Sequence, residues 1–168
     1  AFFCNISADT FSDQKFISGF IEYLEINRNM APCVVFQLSQ AELAARADAT
    51  GQDLQRLVNV GYRLCMNVVT DLNFDPAGLA RLGFQFVKIH VKDLLKKNIP
   101  PTSESIQNMQ TSLDEAGIDL IIDGIETEQE LIELLDFNID LGQGYLFGEP
   151  RMSKNPSDNS KPPELRVV

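Results

Sequence analysis

Two carboxylates stand close together in the stretch of this chain that carries the most chemistry. Asp123 and Glu126 lie in an acidic turn, D-G-I-E, directly after the short apolar segment Leu120–Ile122. Thr127 and Glu130 follow as a capping box, T-x-x-E, which predicts a helix start. Carboxylates are the ligands that hold Mg²⁺ or Mn²⁺ and lower the pKa of a bound water. Strand, acidic turn and helix form one predicted β/α unit, which presents the side chains of the turn at the C-terminal end of the strand.

Other polar side chains stand in similar places, at the end of an apolar segment. Lys88 lies near the end of Phe86–His90, and Asp123 is the obvious partner for its charge. Gln143 follows the short segment Ile139–Leu141. Side-chain amides lie at or near the ends of three further apolar segments: Asn5, Gln37 and Asn67.

The elements that must position these side chains alternate between strand and helix. The apolar runs predict six strands, at Ala1–Ile6, Val34–Leu38, Leu64–Val69, Phe86–His90, Leu120–Ile122 and Ile139–Leu141. Helical spacing and end signals predict helices at Asp13–Asn27, Ala41–Ala47, Gln52–Asn59, Pro76–Leu82 and Ser103–Ala116. Ser103 is predicted as a cap, and Gly61 and Gly117 are predicted to stop the helices that precede them. Such alternation predicts an α/β fold with a parallel sheet or barrel, in which the polar side chains meet at the C-terminal strand ends.

Residues 119–151 closely resemble the end of the EAL family of cyclic-di-GMP phosphodiesterase domains. The family pattern reads E-G-V-E-T-E-E-Q-L and then Q-G-Y-L-F-x-x-P, against D-G-I-E-T-E-Q-E-L and Q-G-Y-L-F-G-E-P here. The resemblance implies a TIM-type (β/α) barrel that is incomplete at the N-terminus, because the chain would begin at the family's second strand. No E-A-L or E-x-L-x-R motif occurs near the start. We expect a partial barrel domain over residues 1–151 and a flexible Pro/Ser/Lys-rich tail over 152–168.

The resemblance also implies which positions once held metal. Asn5 matches the metal-binding Asn of the family's V-N-L-S strand. Gln37 stands where L-E-I-T-E has a metal-binding Glu, and Gln40 replaces its second Glu. The paired aspartates of G-V-R-I-A-L-D-D-F fall on Asn67 and Val68.

Four matches are closer to the family pattern. Lys88 matches the active-site lysine of V-L-K-I-D, although His90 replaces the Asp of that motif. Asp123 stands where the family has the Glu that serves as a base, and Glu126 matches the second Glu of that turn. Gln143 matches the Gln of Q-G-Y.

Neutral amides and a valine do not offset the cost of dehydrating a divalent cation. The resemblance therefore implies no intact catalytic residue, with Lys88, Asp123 and Glu126 as relict positions. It implies no metal cofactor; Mg²⁺ or Mn²⁺ would be needed only in an active domain. Asp71 lies three residues beyond the ungapped register, and only a bulge would bring it to the site.

Three functions follow from this pattern. The first is a catalytically inactive EAL-type domain that acts in cyclic-di-GMP signalling as a regulatory or protein-interaction module. The second is a non-hydrolysing cyclic-di-GMP receptor, and the third is an active phosphodiesterase. The candidate ligand-binding residues are Asn5, Gln37, Asn67, Lys88, Asp123 and Gln143.

Structural roles compete with the functional ones for several of these residues. Asn5 can simply satisfy backbone groups at a strand end, and Gln143 can close the final turn. We expect His90 to be a hydrogen-bonded strand residue, and Phe74 and Tyr145 to belong to the core.

Bulk properties fit a cytoplasmic α/β domain, and the resemblance implies a bacterial one. The chain has 168 residues, 44% of them hydrophobic, which is enough for one sizeable core. A net charge of −10 argues against nucleic-acid binding. Cys4, Cys33 and Cys65 are expected to be reduced core thiols. No apolar run is long enough to contact or span a membrane, although the chain begins at Ala1 without Met and a longer parent protein could carry an anchor.

An incomplete barrel predicts association, because open strand edges and an apolar interior are unfavourable in water. We expect a protein partner or a homodimer, with the homodimer slightly favoured. The segment Thr70–Asp75 has lost the glycines of the family's G-T-G-Y-S-S loop, so the interface would differ from the usual one.

Overall fold

Six parallel strands form the sheet of this protein. The structure is a computed structural model that describes residues 1–45, 47–95, 103–135, 137, 139 and 141–149, so the predicted tail at 152–168 lies outside the described residues. The strands run in the order β1-β2-β3-β4-β5-β6, all neighbours being parallel. Their bounds are Phe2–Asn5, Val34–Ser39, Arg63–Asn67, Phe84–His90, Asp119–Asp123 and Leu141–Gly142, close to the predicted segments.

Helices connect the strands and cover one face of the sheet. They are α1 (Gln14–Ile26), α2 (Gln40–Ala45), α3 (Ala47–Val60), α4 (Pro76–Arg81), α5 (Val91–Leu94), α6 (Ser103–Ala116) and α7 (Glu128–Leu135). Short 3₁₀ helices at Ala8–Ser12, Arg28–Cys33 and Tyr145–Phe147 were not predicted, and neither was α5. Ser103, predicted as a cap, is the first residue of its helix.

Local signals explain where the helices begin and end. Asp13 caps α1, because its carboxylate accepts hydrogen bonds from the backbone N–H groups of Lys15 and Phe16 at 3.1 and 3.0 Å. Gly61 follows α3 with φ +107°, a conformation that is unfavourable for residues with a Cβ. The predicted stop is confirmed.

The sheet curls into an incomplete barrel. The ring of Phe3 on β1 lies 5.9 Å from the ring of Phe86 on β4, centroid to centroid. Three strand spacings would separate these strands by about 14 Å in a flat sheet. This curvature confirms the predicted TIM-type (β/α) barrel. The barrel is incomplete, because the described part of the chain has six strands.

Alternate strand residues face the two sides of the curled sheet. The helix-facing residues join the main core with the helices: Phe36, Leu38, Leu64, Met66, Val87, Ile89 and Ile122. The residues between them, such as Val35, Cys65 and Ile121, are buried on the inner side. Only Cys65 fits the prediction for the cysteines; Cys4 and Cys33 are free thiols but exposed, the first on the edge strand β1 and the second at the end of a 3₁₀ helix. No helix among the described residues has the length and apolar character needed to cross a membrane.

Candidate polar site at the barrel mouth

Three amide side chains meet at the C-terminal ends of β1, β2 and β3. Oδ1 of Asn5 accepts hydrogen bonds from Nε2 of Gln37 at 2.9 Å and from Nδ2 of Asn67 at 3.2 Å. Gln37 is 7% exposed, and its Oε1 is buried with no hydrogen-bond partner among the described residues. We call Asn5, Gln37 and Asn67 the amide triad.

Strand register explains why these residues touch. Asn5 pairs with Gln37 across β1 and β2, whereas Gln37 pairs with Cys65 across β2 and β3. Asn67 pairs with Ser39 and so lies one layer nearer the mouth. Since residues two apart point to the same side of a strand, the triad spans two inner layers.

Lys88 contacts Gln143 rather than its predicted partner. Nζ of Lys88 donates a hydrogen bond to Oε1 of Gln143 at 3.0 Å and lies 4.1 Å from the centre of the Phe3 ring. Lys88 is in register with Ile121, whereas Asp123 is in register with His90, one layer nearer the mouth. The predicted Lys88–Asp123 pair was wrong for this reason. A cation over an aromatic face is stabilised by the ring quadrupole, so the Phe3 ring is a favourable contact for a lysine that is 5% exposed.

Cys65 lies between the two groups of polar residues. Burial raises the pKa of its thiol to about 12, the Lys88 charge lowers this pKa and the Asp123 charge raises it. The thiol is therefore protonated and unreactive at neutral pH.

A cavity of about 400 Å³ opens beside this layer, at the ends of β4 and β5. Asp123 accepts a hydrogen bond from the backbone N–H of Gly124 at 2.8 Å, and His90 packs against Gly124. Nδ1 of His90 accepts from the backbone N–H of Lys92 at 3.1 Å, so His90 caps α5 and is hydrogen-bonded as predicted. The polar and aromatic residues lining the cavity are His90, Asp123, Glu126, Gln143, Tyr145 and Glu149.

The acidic turn is fixed by the predicted capping box. Oγ1 of Thr127 accepts from the backbone N–H of Glu130 at 3.2 Å, and Oε2 of Glu130 accepts from the N–H groups of Glu126 and Thr127 at 2.9 and 3.1 Å. The hydrogen bond from Glu126 N–H is the main cause that lowers the pKa of Glu130. This arrangement leaves the Glu126 side chain exposed at the mouth.

Val68 and the following loop complete the other side of the mouth. Val68 has φ +49°, a strained conformation for a β-branched residue, and is 64% exposed. Gln40 holds the loop: its Oε1 accepts from the backbone N–H groups of Thr70 and Asp71 at 2.9 and 3.0 Å, and its Nε2 donates to the Asp71 carbonyl at 2.6 Å. Asp71 is exposed in this loop, and its carboxylate accepts from the backbone N–H of Asn73 at 2.9 Å. No bulge brings it into the site.

Sequence reasoning did not predict the roles of three residues of the mouth. Phe3 contributes the ring over Lys88, Gln40 clamps the loop, and Tyr145, predicted to be core, is 60% exposed and lines the cavity. Phe74 does pack against the core as predicted. Phe3 was predictable from its spacing, because it lies two residues before Asn5 on β1 and therefore on the same side of the strand.

The donor set of the amide triad does not fit a pair of divalent cations. Mg²⁺ and Mn²⁺ require hard, mainly anionic oxygen ligands, whereas the triad offers neutral amides, and Oδ1 of Asn5 already accepts two hydrogen bonds. Across the described ranges, no group of three His, Cys, Asp or Glu residues is placed to hold a metal ion.

A parallel (β/α) barrel with polar residues at its C-terminal mouth defines a class of domains whose sites lie at that face. The EAL domain family model matches residues 1–150, and the chain belongs to this family. The cyclic di-GMP phosphodiesterase RocR of Pseudomonas aeruginosa is 26% identical to it over 121 residues, which are 70% of this chain and 30% of RocR.

Solved structures support the same fold. The FimX EAL domain from Pseudomonas aeruginosa bound to c-di-GMP matches with a TM-score of 0.70 and 22% identity, over 85% of this chain and 59% of that chain. The Vibrio cholerae LapD S helix-GGDEF-EAL protein bound to c-di-GMP matches with a TM-score of 0.75 and 16% identity, over 86% of this chain and 36% of that chain. The chain thus spans less than two thirds of the length of each of these relatives.

Proposed function

We propose that this EAL domain does not hydrolyse cyclic di-GMP and acts in cyclic-di-GMP signalling as a regulatory or protein-interaction module. The signalling context is supported by the similarity to RocR, which is named as a cyclic di-GMP phosphodiesterase. The absence of hydrolysis is supported by the amide triad.

The triad carries the proposal because of how its atoms are used. By resemblance, Gln37 and Asn67 stand where active members have metal-binding carboxylates, and Val68 stands where they have a third. In this chain Gln37 and Asn67 instead donate hydrogen bonds to Asn5, which neutral amides can do and carboxylates cannot. Val68 has no ligand atom and points into solvent. A two-metal centre needs those carboxylates to generate its nucleophile.

A hydrolysis assay tests this directly. The chain is incubated with cyclic di-GMP and Mg²⁺ or Mn²⁺, with an active EAL phosphodiesterase run in parallel, and linear dinucleotide is measured by chromatography. We expect no product above the protein-free control. Product that scales with protein concentration and disappears with chelator contradicts the proposal.

A second candidate, a non-hydrolysing receptor, is favoured by the cavity. Its volume of about 400 Å³ and the exposed Tyr145 ring could take a base, with Lys88 and Gln143 beside it. The same cavity, however, is lined by the carboxylates of Asp123, Glu126 and Glu149, which would repel two phosphates. Lys88 is almost fully buried and already contacts Gln143 and Phe3. We therefore rank the receptor second.

Titration of cyclic di-GMP separates the two candidates. The calorimetric titration is run in chelator, with the chain and with Tyr145→Ala. The interaction-module proposal predicts no saturable heat in the micromolar range for either protein. Saturable binding that Tyr145→Ala weakens would establish the receptor instead.

A further inference from the structure

A second cavity lies between α1 and α3, at the end of the sheet opposite the polar mouth. Its volume is about 370 Å³, and its lining residues are Glu25, Arg28, Arg56, Asn59 and Val60. α1 and α3 both end at this level and lead into β2 and β3, so the cavity lies at the N-terminal ends of the strands. The two helices pack against each other, and both belong to the part of the chain that the structure describes.

Hydrogen bonds fix the backbone around this cavity. The hydroxyl oxygen of Tyr62, a residue that is 1% exposed, lies 3.4 Å from the carbonyl oxygen of Leu24 and 3.2 Å from that of Asn27. The backbone N–H of Tyr62 donates to the carbonyl of Leu57 on α3 at 3.1 Å. One buried residue thus ties the ends of α1 and α3 together, and the lining side chains project from a preorganised frame.

The two arginines of the cavity make few contacts of their own. Arg28 forms no hydrogen bond or ion pair with another described residue, and Arg56 has one long contact, 3.4 Å from Nη1 to Oδ1 of Asp53. By contrast, Nη2 of Arg81 lies 3.2 Å from Oδ2 of Asp75. Since a guanidinium group carries five N–H donors, most donors of the two cavity arginines are available to a ligand.

Glu25 places a negative charge in the same cavity. It lies three residues before Arg28, yet within the described ranges it forms no ion pair with either arginine. Asn59 adds an amide group, whose Oδ1 accepts a hydrogen bond from Gln55 at 3.4 Å, and Val60 adds apolar surface. The cavity therefore presents two positive charges and one negative charge, held apart around an open space.

We propose that this cavity binds a small zwitterion of the α-amino acid class. The guanidinium groups of Arg28 and Arg56 hold the ligand carboxylate, the carboxylate of Glu25 holds the ligand ammonium group, and the ligand side chain lies against Val60. Hydrogen bonds between charged groups are the strong ones, and the planar fork of Arg matches a carboxylate. The site is separate from the polar mouth and goes beyond the proposed signalling role.

Electrostatics favour a zwitterion over a simple anion or cation. The net charge of −10 repels an approaching anion, whereas a ligand without net charge is not repelled. An anion beside the arginines would also lie near Glu25, and a cation beside Glu25 would lie near the arginines, so each meets a like charge. The volume of about 370 Å³ falls within the range of small-molecule sites, about 300–1,000 Å³.

Three matched compounds test the proposal. L-Valine carries both charges, isovalerate has the same carbon skeleton without the ammonium group, and isobutylamine lacks the carboxylate. Each is titrated into the isotope-labelled protein, and the NMR shifts of the N–H groups of Arg28, Arg56 and Asn59 report binding. We expect L-valine to bind about fivefold more tightly than either analogue, as one partly exposed ion pair would give.

Charge variants should give a crossed result. Glu25→Gln should remove the advantage of L-valine over isovalerate, whereas Arg28→Gln should remove its advantage over isobutylamine. Glu22→Gln neutralises an exposed carboxylate on the same helix, and Arg81→Gln neutralises an exposed arginine on α4. These two variants are the controls and should change neither preference.

Several outcomes would overturn the proposal. They are the absence of saturable shifts, equal binding of the three compounds, and shifts centred on Tyr145 at the mouth instead of on the cavity residues. A control variant that changes the preferences as much as a cavity variant would also overturn it, since overall charge would then be the cause. The hydrolysis assay tests the proposed function separately, because it reports on the other end of the barrel.

Discussion

Asn5 and Asn67 are 62 residues apart in the chain, and Nδ2 of Asn67 donates a 3.2 Å hydrogen bond to Oδ1 of Asn5. The two side chains lie on β1 and β3, with the strand of Gln37 between them. Such a contact requires the sheet to curl, because two strand spacings exceed the reach of two short amides. The bond therefore reflects both the curvature of the barrel and the neutral character of the amide triad.

Removing the shared acceptor of the triad should destabilise the fold. Asn5→Ala leaves the buried Nε2 of Gln37 without a partner, and we expect a loss of about 1–3 kcal/mol in the free energy of unfolding. Asn67→Ala removes one donor at a more exposed place and should cost less than about 1 kcal/mol. Urea denaturation of both variants measures the difference, and equal losses would show that Asn5 Oδ1 is not the centre of the triad.

Gly124 is held in place by both its backbone and its neighbour. Its φ is +77°, and a Cβ at this position would collide with the His90 imidazole. Gly117 has a similar φ of +70°, but a Cβ there meets nothing within 4 Å. Gly117→Ala should therefore cost only about 1 kcal/mol for the backbone conformation, and Gly124→Ala should cost more.

The double variant Gly124→Ala/His90→Ala separates the two causes. His90→Ala alone is the reference for this variant, because it also loses the cap of α5. We expect Gly124→Ala to cost about as much in the His90→Ala background as Gly117→Ala costs in the parent protein. Thermal unfolding of the parent and the four variants supplies the comparison, and an equal cost of Gly124→Ala with and without His90 would place that cost in the backbone alone.

Strand and helix positions were predictable because the apolar periodicity is strong. The centres of β2 to β4 are buried, largely apolar runs, as the sequence indicates, and Gly61 and Gly117 end helices where predicted. The 3₁₀ helices at Ala8–Ser12 and Arg28–Cys33 carry no such periodicity. Each is too short for a repeat of apolar residues at three-residue spacing to be recognised in the sequence.

The composition of the site was more predictable than its contacts. The rule that parallel strands present side chains at their C-terminal ends placed Lys88, Asp123 and Gln143 at one mouth. Which of them touch depends on register: Lys88 pairs with Ile121, one layer below Asp123, so its ammonium reaches Gln143. The sequence does not encode that stagger in any single residue.

Val68 stores backbone strain that a substitution should release. Its φ of +49° is unfavourable for a β-branched residue, and its side chain is 64% exposed, so little burial would be lost. Asn tolerates this conformation, and Val68→Asn should stabilise the protein by about 1 kcal/mol. Val68→Ala, which shortens the side chain but keeps a Cβ, should gain less. Destabilisation by Val68→Asn in urea denaturation would contradict the assignment of strain.

The capping carboxylate of α7 should make stability depend on pH. Hydrogen bonds from the backbone N–H groups of Glu126 and Thr127 lower the pKa of Glu130 from its usual 4.5. Because the folded-state pKa is the lower one, this contribution is complete above the unfolded pKa and is lost as pH falls through the folded value. Glu130→Gln should therefore be less stable than the parent at pH 7, and the difference should shrink in acid below the folded pKa. Glu128→Gln removes the same charge from the same first turn and serves as the control. Urea denaturation from pH 7 into the acid range measures all three proteins, and a Glu130→Gln difference that stays constant with pH, or that Glu128→Gln reproduces, would show that the capping hydrogen bonds are not its source.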